Sequence, residues 1–395
     1  MLVSIFMNVG LLVYFKYANF FIENFNFVLQ ECGVAEIGWT KVALPIGISF
    51  YTFQTLTYSI DVYRGSQKPL KHLHNYLLYI LSFPQMIAGP IVRFGHIAKQ
   101  ISDRPNSIDD KLFGFYRFCI GLAKKVLIAN VLGEVANDYF ELSHDQLSTT
   151  GAWIGISAYT FQIYFDFAGY SDMAIGLGRM MGFRFPENFN NPYNAASITE
   201  FWKRWHMTLS EWMRDYLYIP LGGNRVKQGR LYVNLVLVFL ISGLWHGASW
   251  NFVIWGAYHG LFLILDRIFL QKLLNRLGKF PSVLITFPLV MIGWVFFGIE
   301  DLNHSVHYLG RMFEFKNTLP ALPVSAELIF TMTLAAVISF VCLFKFGNRL
   351  QLFVYGDKID AKRSVGITIV SLVLFIICVG YITSSGFNPF IYFRF

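Results

Sequence analysis

Charge is what this sequence most lacks. Asp, Glu, Lys and Arg make up 14% of its 395 residues, against about 25% in an ordinary soluble domain. That shortage excludes a chain whose surface is mostly solvated, and a mean hydropathy of +0.48 agrees. Cysteine is scarce too. Cys32, Cys119, Cys342 and Cys378 are scattered, with no CxxC pair and no metal-ligand spacing, so neither a disulfide framework nor a zinc site is expected. HExxH, GxSxG and Walker motifs are absent, which removes the usual marks of zinc proteases, serine hydrolases and P-loop NTPases. His72 and His74 form a lone loop pair and make a poor metal site. No metal and no tightly bound cofactor are expected. The N-terminus lacks a basic n-region and a small-residue cleavage site, so Met1–Phe21 reads as a membrane segment, not a signal peptide.

What is present is apolar. Hydrophobic residues reach 55%, and 41 Phe, 21 Tyr and 9 Trp suit a chain with aromatic belts at two interfaces. Apolar runs at 1–21, 42–62, 75–92, 110–133, 150–180, 231–249, 250–267, 281–299, 327–345 and 364–383 predict about ten segments of membrane-spanning length. The run at 150–180 is long enough for a broken or tilted helix. The fold class is all-α integral membrane protein, with interfacial or re-entrant helices between the spans. No internal repeat or low-complexity linker divides it, and the paired broken helices of an inverted-repeat transporter are not found. Residues 1–395 read as a single membrane domain.

The net charge of +8 is read as topology, not as a nucleic-acid surface. Lys203, Arg204, Arg214, Arg225, Lys227 and Arg230 crowd one polar stretch. Arg267, Lys272, Arg276 and Lys279 form a second, and Lys345, Arg349, Lys358, Lys362 and Arg363 a third. Between them, 246–251 carries no basic residue and 301–326 only Arg311 and Lys316. The alternation places the three basic stretches in the cytoplasm. The Trp245–Asn251 turn then lies toward the outer side or deep in the membrane.

Three places put polar groups where they are costly and commonly functional. Asp166 and Asp172 fall within an apolar run beside Tyr164, Tyr170 and Ser171; either they pair with cations or backbone amides and brace helix packing, or they line a polar cavity. Residues 200–225 mix Trp, Arg and His too densely for a spanning helix and too aromatically for a solvated loop. They read as an interfacial or re-entrant helix. Arg204, Arg214 and Arg225 could meet a phosphorylated carrier arm, or the stretch could lie on anionic lipid. His206 within it is either catalytic or an interface histidine. The third place is 241–260, where His246 closes an apolar run between Trp245 and Gly247. A neutral imidazole there can take a proton from a hydroxyl and return it to a leaving group. A lone histidine in an apolar helix is more often structural, and that reading stays open here. Trp245 and Asn251, at the ends of the turn, count as substrate-contacting candidates. His96 and His259 read as structural.

The stretches LPIGISFYTF at 44–53, YSIDVYRG at 58–65, IAGPIVR at 87–93, QIYFDFAGYSDMAIG at 162–176, NFNNPY at 188–193, Phe201–Arg225 and Ser242–Gly260 resemble the membrane-bound O-acyltransferase family. The likeness is to its bacterial branch of alginate and peptidoglycan O-acetyltransferases, and it covers about residues 40–265. PLGGNR at 220–225 favours that branch over the D-alanyl transfer proteins of teichoic acid. The resemblance implies a ring of membrane helices around a central tunnel, in the bacterial cell membrane. It implies acyl transfer, usually acetyl, from a cytoplasmic thioester such as acetyl-CoA to an acceptor outside, with an extracytoplasmic acyltransferase partner that acts on an exported polysaccharide. It places the family's invariant histidine on His246 and its second histidine on His206. Members usually carry further helices before the segment that here begins at Met1, so this chain is expected to be a shortened form. Two other readings are carried: a transporter or flippase for an acylated intermediate, and a membrane scaffold for a polysaccharide assembly complex.

Overall fold

The computed structural model describes residues 1–104, 107–143, 145–314, 322–356, 361–384 and 389–390. Lys316 and Lys358, two of the cations in the charge reading, lie outside the described residues. Those residues are all helix, turn and coil, without strand.

Helix α1, Leu2–Glu31, contains a π turn at Val13–Tyr17. Residues 34–47 follow without regular helix, and Pro45 and Gly47 close the stretch. Gly47, at φ 78°, opens α2, Ile48–Tyr63. The run at 42–62 is therefore loop first and a 16-residue helix second. The run at 75–92 is not one helix. It breaks into Leu73–Ile80 and the single turn Phe83–Met86, then runs irregularly through Gly89 and Pro90. Next, α3, Ile108–Ala123, passes through a π turn into α4, Asn130–Phe140. Helix α5, Thr149–Met180, is a single unbroken helix of 32 residues, capped by the Ser148 side chain. The polar stretch after it holds Ile198–Trp202, α6 at Met207–Met213, and a π turn at Arg214–Tyr218. Then come α7, Gln228–His246, α8, Trp250–Leu277, α9, Lys279–Gly298, α10, Leu302–Met312, α11, Ala326–Leu343, and α12, Lys362–Ser384.

Among the described residues six helices are long and apolar enough to cross a membrane: α1, α7, α8, α9, α11 and α12. This is an all-helical membrane protein. The six are fewer than the apolar runs in the sequence. One run is broken by proline and glycine, and the polar groups within α3 and α5 lower their hydropathy.

The main core gathers around α5 and draws in α4, α8, α9 and α10. Helices α3 and α5 touch backbone to backbone. A Cβ on Gly176 would stand 2.5 Å from the Gly114 carbonyl oxygen, and one on Gly114 would stand 2.6 Å from that of Gly176. Small residues permit this approach, as in membrane helix pairs generally. It brings opposite charges together. Asp172 accepts from Arg117 Nε at 2.8 Å and from Lys124 Nζ at 2.6 Å, and Arg117 also grips Glu187 at 2.6 and 3.0 Å. Asp166 pairs with Lys125. Both acids thus brace α5 against the helix before it.

Candidate functional site: two buried histidines flanking a tryptophan

The last turn of α7 has carbonyls without intrahelical donors, and α1 supplies them. Tyr17 Oη donates to the Leu244 carbonyl at 2.7 Å. Lys16 Nζ donates to those of Trp245 at 2.5 Å and His246 at 3.2 Å. The π turn of α1 aims both side chains at this helix end, where positive charge is favoured. Gly243 lets α8 pack close, since a Cβ there would strike the Phe252 carbonyl. His246 ends buried, its ring edge-on to Trp245, Trp255 and Phe297 at 4.9, 5.2 and 5.1 Å.

His206 reaches the same place from the polar stretch. It is fully buried and sits at φ 43°; Asn191 is the other non-glycine residue with positive φ among those described. Backbone in this region is strained and concentrates at functional sites. The His206 ring is perpendicular to Phe167 at 4.7 Å and lies 6.1 Å from Trp245. Trp245 also stacks on Phe53, at 5.2 Å. His206 and His246 therefore both stand against Trp245 in one buried cluster.

A chain of hydrogen bonds sets the His206 proton. The Ile91 N–H, which can only donate, reaches Thr208 Oγ1 at 2.9 Å. The Thr208 hydroxyl then donates to Asn188 Oδ1 at 2.8 Å. His206 Nδ1 lies 3.0 Å from the same oxygen, so it must carry the hydrogen, and Nε2 is left with the lone pair. Asn188 Nδ2 completes the set by donating to Ser171 Oγ at 3.1 Å. Nε2 is buried and meets no hydrogen-bond partner among the described residues.

Beside His246 lies a cavity of about 180 Å³, walled by residues 44–50, Ile87, Lys16, Trp245 and His246.

The other candidates are engaged elsewhere. Asn251 is buried and donates to the Ile299 carbonyl at 2.5 Å and to Ser305 at 2.9 Å, tying α8 to the start of α10. Arg204 pairs with Glu200 at 2.7 Å and donates to the Asn190 carbonyl. Arg214 pairs with Asp215 at 2.6 Å, and Arg93 grips the same carboxylate at 2.7 Å. The Arg214 hydrogen bond holds that carboxyl below the usual range. Arg225 is exposed. Asp166 and Asp172 sit in the braces described above. His259 is packed among Trp202, Trp255 and Tyr258.

Lys16, Asn188 and Thr208 were missed by sequence reasoning. Lys16 had a usable signal, since it is the one charged side chain in the first apolar run. Asn188 lies within the NFNNPY stretch, but nothing local ties it to His206.

The model of the membrane-bound O-acyltransferase family matches residues 67–275. The probable alginate O-acetylase of Pseudomonas putida is 41% identical over 414 aligned residues, covering 100% of this chain and 84% of that protein. The chain belongs to the membrane-bound O-acyltransferase family. The peptidoglycan O-acetyltransferase of Helicobacter pylori is 39% identical, covering 79% of this chain and 64% of that protein. The teichoic acid D-alanyltransferase of Bacillus subtilis is 31% identical, covering 66% and 70%. As a membrane-bound O-acyltransferase, the chain is an enzyme of acyl transfer to oxygen. The family match takes in Asn188, His206, Trp245 and His246, while Lys16 lies before it.

Proposed function

We propose that this enzyme moves an acetyl group from a cytoplasmic thioester, acetyl-CoA or another acyl thioester, to a hydroxyl outside the cell membrane. The acceptor is an exported polysaccharide or an extracytoplasmic partner acyltransferase that serves one. The setting is the bacterial cytoplasmic membrane, with residues 1–395 as one domain. In it the six long apolar helices, with the shorter buried ones between them, surround a central tunnel. The observation that carries this reading is the buried cluster of His206, Trp245 and His246 at the end of α7. The names of the relatives support acetyl as the group and an exported glycan as its destination.

In this reading His246 is the general base. It takes the acceptor proton as the hydroxyl oxygen attacks the thioester carbonyl. The tetrahedral intermediate then collapses, the carbon–sulfur bond breaks, and the proton returns to the leaving thiolate. His206, with its lone pair fixed on Nε2, orients the donor or relays that proton, and Trp245 walls the passage between them. Arg204, Arg214 and Arg225 belong to the cytoplasmic approach of the donor's phosphates; Asn251, Asp166 and Asp172 hold the surrounding helices in place. General-base catalysis of this kind contributes about 10²- to 10⁴-fold.

A transporter of an acylated intermediate would need a gradient or alternating states, and a scaffold would make no ester. The purified chain in detergent, with acetyl-CoA and a glycan acceptor but no gradient, should form net O-acetyl ester. No ester in detergent, with an acylated intermediate nevertheless crossing sealed vesicles that carry the same chain, would reject the enzyme reading in favour of transport.

A further inference from the structure

We propose that Lys16 and Ser49 form an anion subsite beside His246, and that it holds a carboxylate carried by the hydroxyl acceptor. The proposal rests on the acyl-transfer reading for what that acceptor undergoes. The placement of the Lys16 amino group stands independently of it. Lys16 is 8% exposed, and three acceptors surround its Nζ: the carbonyls of Trp245 at 2.5 Å and His246 at 3.2 Å, and Ser49 Oγ at 3.1 Å. Three acceptors take the three hydrogens of an ammonium group, so an anion here is drawn by the charge of Lys16 and bonded by the Ser49 hydroxyl. Among the described residues no carboxylate pairs with it. The C-terminus of α7 offers about half a negative charge, so part of the positive charge is left without compensation in an apolar surrounding, which is costly.

The cavity faces this charge. Ser49 accepts from Lys16, which leaves its hydroxyl hydrogen to donate into the space. The volume of about 180 Å³ equals roughly six waters at their liquid share, enough for a carboxylate and the adjoining part of a sugar ring. Leu44 and Ile46 on the wall are 43% and 69% exposed, so the space communicates with the outside of the molecule. It lies at the His246 end of α7, opposite the end that follows Arg225 and Lys227. A singly charged, planar carboxylate suits less than one uncompensated positive charge; a dianionic phosphate would exceed it. Held there, the carboxylate would bring a neighbouring hydroxyl of the same sugar to His246, which shares the cavity wall.

The test is equilibrium binding to the purified full-length chain, without acyl donor. The probes are a radiolabelled uronic-acid oligosaccharide and its carboxyl-reduced neutral counterpart. The wild type should bind the acidic probe about 10- to 100-fold more tightly, the range of a charged hydrogen bond. Lys16→Met should remove most of that preference, Lys16→Arg should keep much of it, and Ser49→Ala should reduce it. Should Lys16→Met fail to fold, Ser49→Ala still decides the matter, because it deletes one oxygen. Equal binding of the two probes by the wild type would overturn the proposal, as would a full preference persisting in Ser49→Ala. Displacement of the acidic probe by acetyl-CoA but not by free glucuronate would assign the site to the donor and also overturn it. Acid preference in a chain that makes no ester would retain the subsite and sink the acyl-transfer reading instead.

Discussion

Asp172→Ala offers the sharpest test of how the interior is held together. Asp172 lies between Arg117 and Lys124, with side chains 7%, 6% and 17% exposed. Removing the carboxylate leaves two cations and, among the described residues that pair with them, Glu187, whose side chain is half exposed and engages Arg117. Arginine does not shed its proton, so the charge on Arg117 cannot be relieved by neutralisation. Breaking a buried pair from one side costs about 3–5 kcal/mol. Lys124→Met should be milder, because Asp172 keeps Arg117 and the site loses one cation along with its bond. The assay is SDS-induced unfolding of the purified protein, followed by tryptophan fluorescence. Asp172→Ala should unfold at distinctly lower SDS than Lys124→Met, and the double variant should recover part of the loss. Asp172→Ala within about 1 kcal/mol of wild type, or Lys124→Met as damaging as Asp172→Ala, would refute the brace.

Further outcomes follow from the same geometry. Gly176→Leu should destabilise the fold by several kcal/mol, because its side chain would enter the backbone of α3; near-normal expression and melting would contradict the close contact. Thr208→Val should lower acetyl transfer and shift its pH profile, since it frees Asn188 to turn and His206 to change tautomer; an unshifted profile would remove the hydrogen-bond chain from the mechanism. Asp215, with its carboxyl held below the usual range by Arg214, contributes stability above about pH 4 that is lost as pH falls further. Asp215→Asn should flatten that acid limb by under about 1 kcal/mol, as read by melting temperature against pH.

Much of the plan was legible in the sequence because a bilayer imposes length and hydropathy on helices. The runs at 231–249 and 281–299 became α7 and α9 with small changes at their ends, while the run at 250–267 became an α8 that continues ten residues further, to Leu277, through most of the basic stretch expected to be a loop. The run at 75–92 misled because average hydropathy ignores backbone chemistry: Pro84, Gly89 and Pro90 break what the apolar side chains suggest. The two α5 acids were legible as costly groups in need of cations, but Arg117, Lys124 and Lys125 lie some 40 to 55 positions away, and only the fold shows which cation meets which acid. His246 and His206 drew notice through their setting. The bond between His206 and Asn188 could not, since it depends on a left-handed residue and a long-range approach. Lys16 was visible as a lone charge, but its target, the far end of α7, was not.

The most direct measurement is transfer of radiolabelled acetyl from acetyl-CoA in proteoliposomes carrying wild type or His246→Ala, with glycan acceptors on the far side. The account predicts label on the acceptor with wild type and a loss of about 10²-fold or more in the variant, at equal insertion. Equal labelling by both proteins would contradict it and remove His246 from the chemistry.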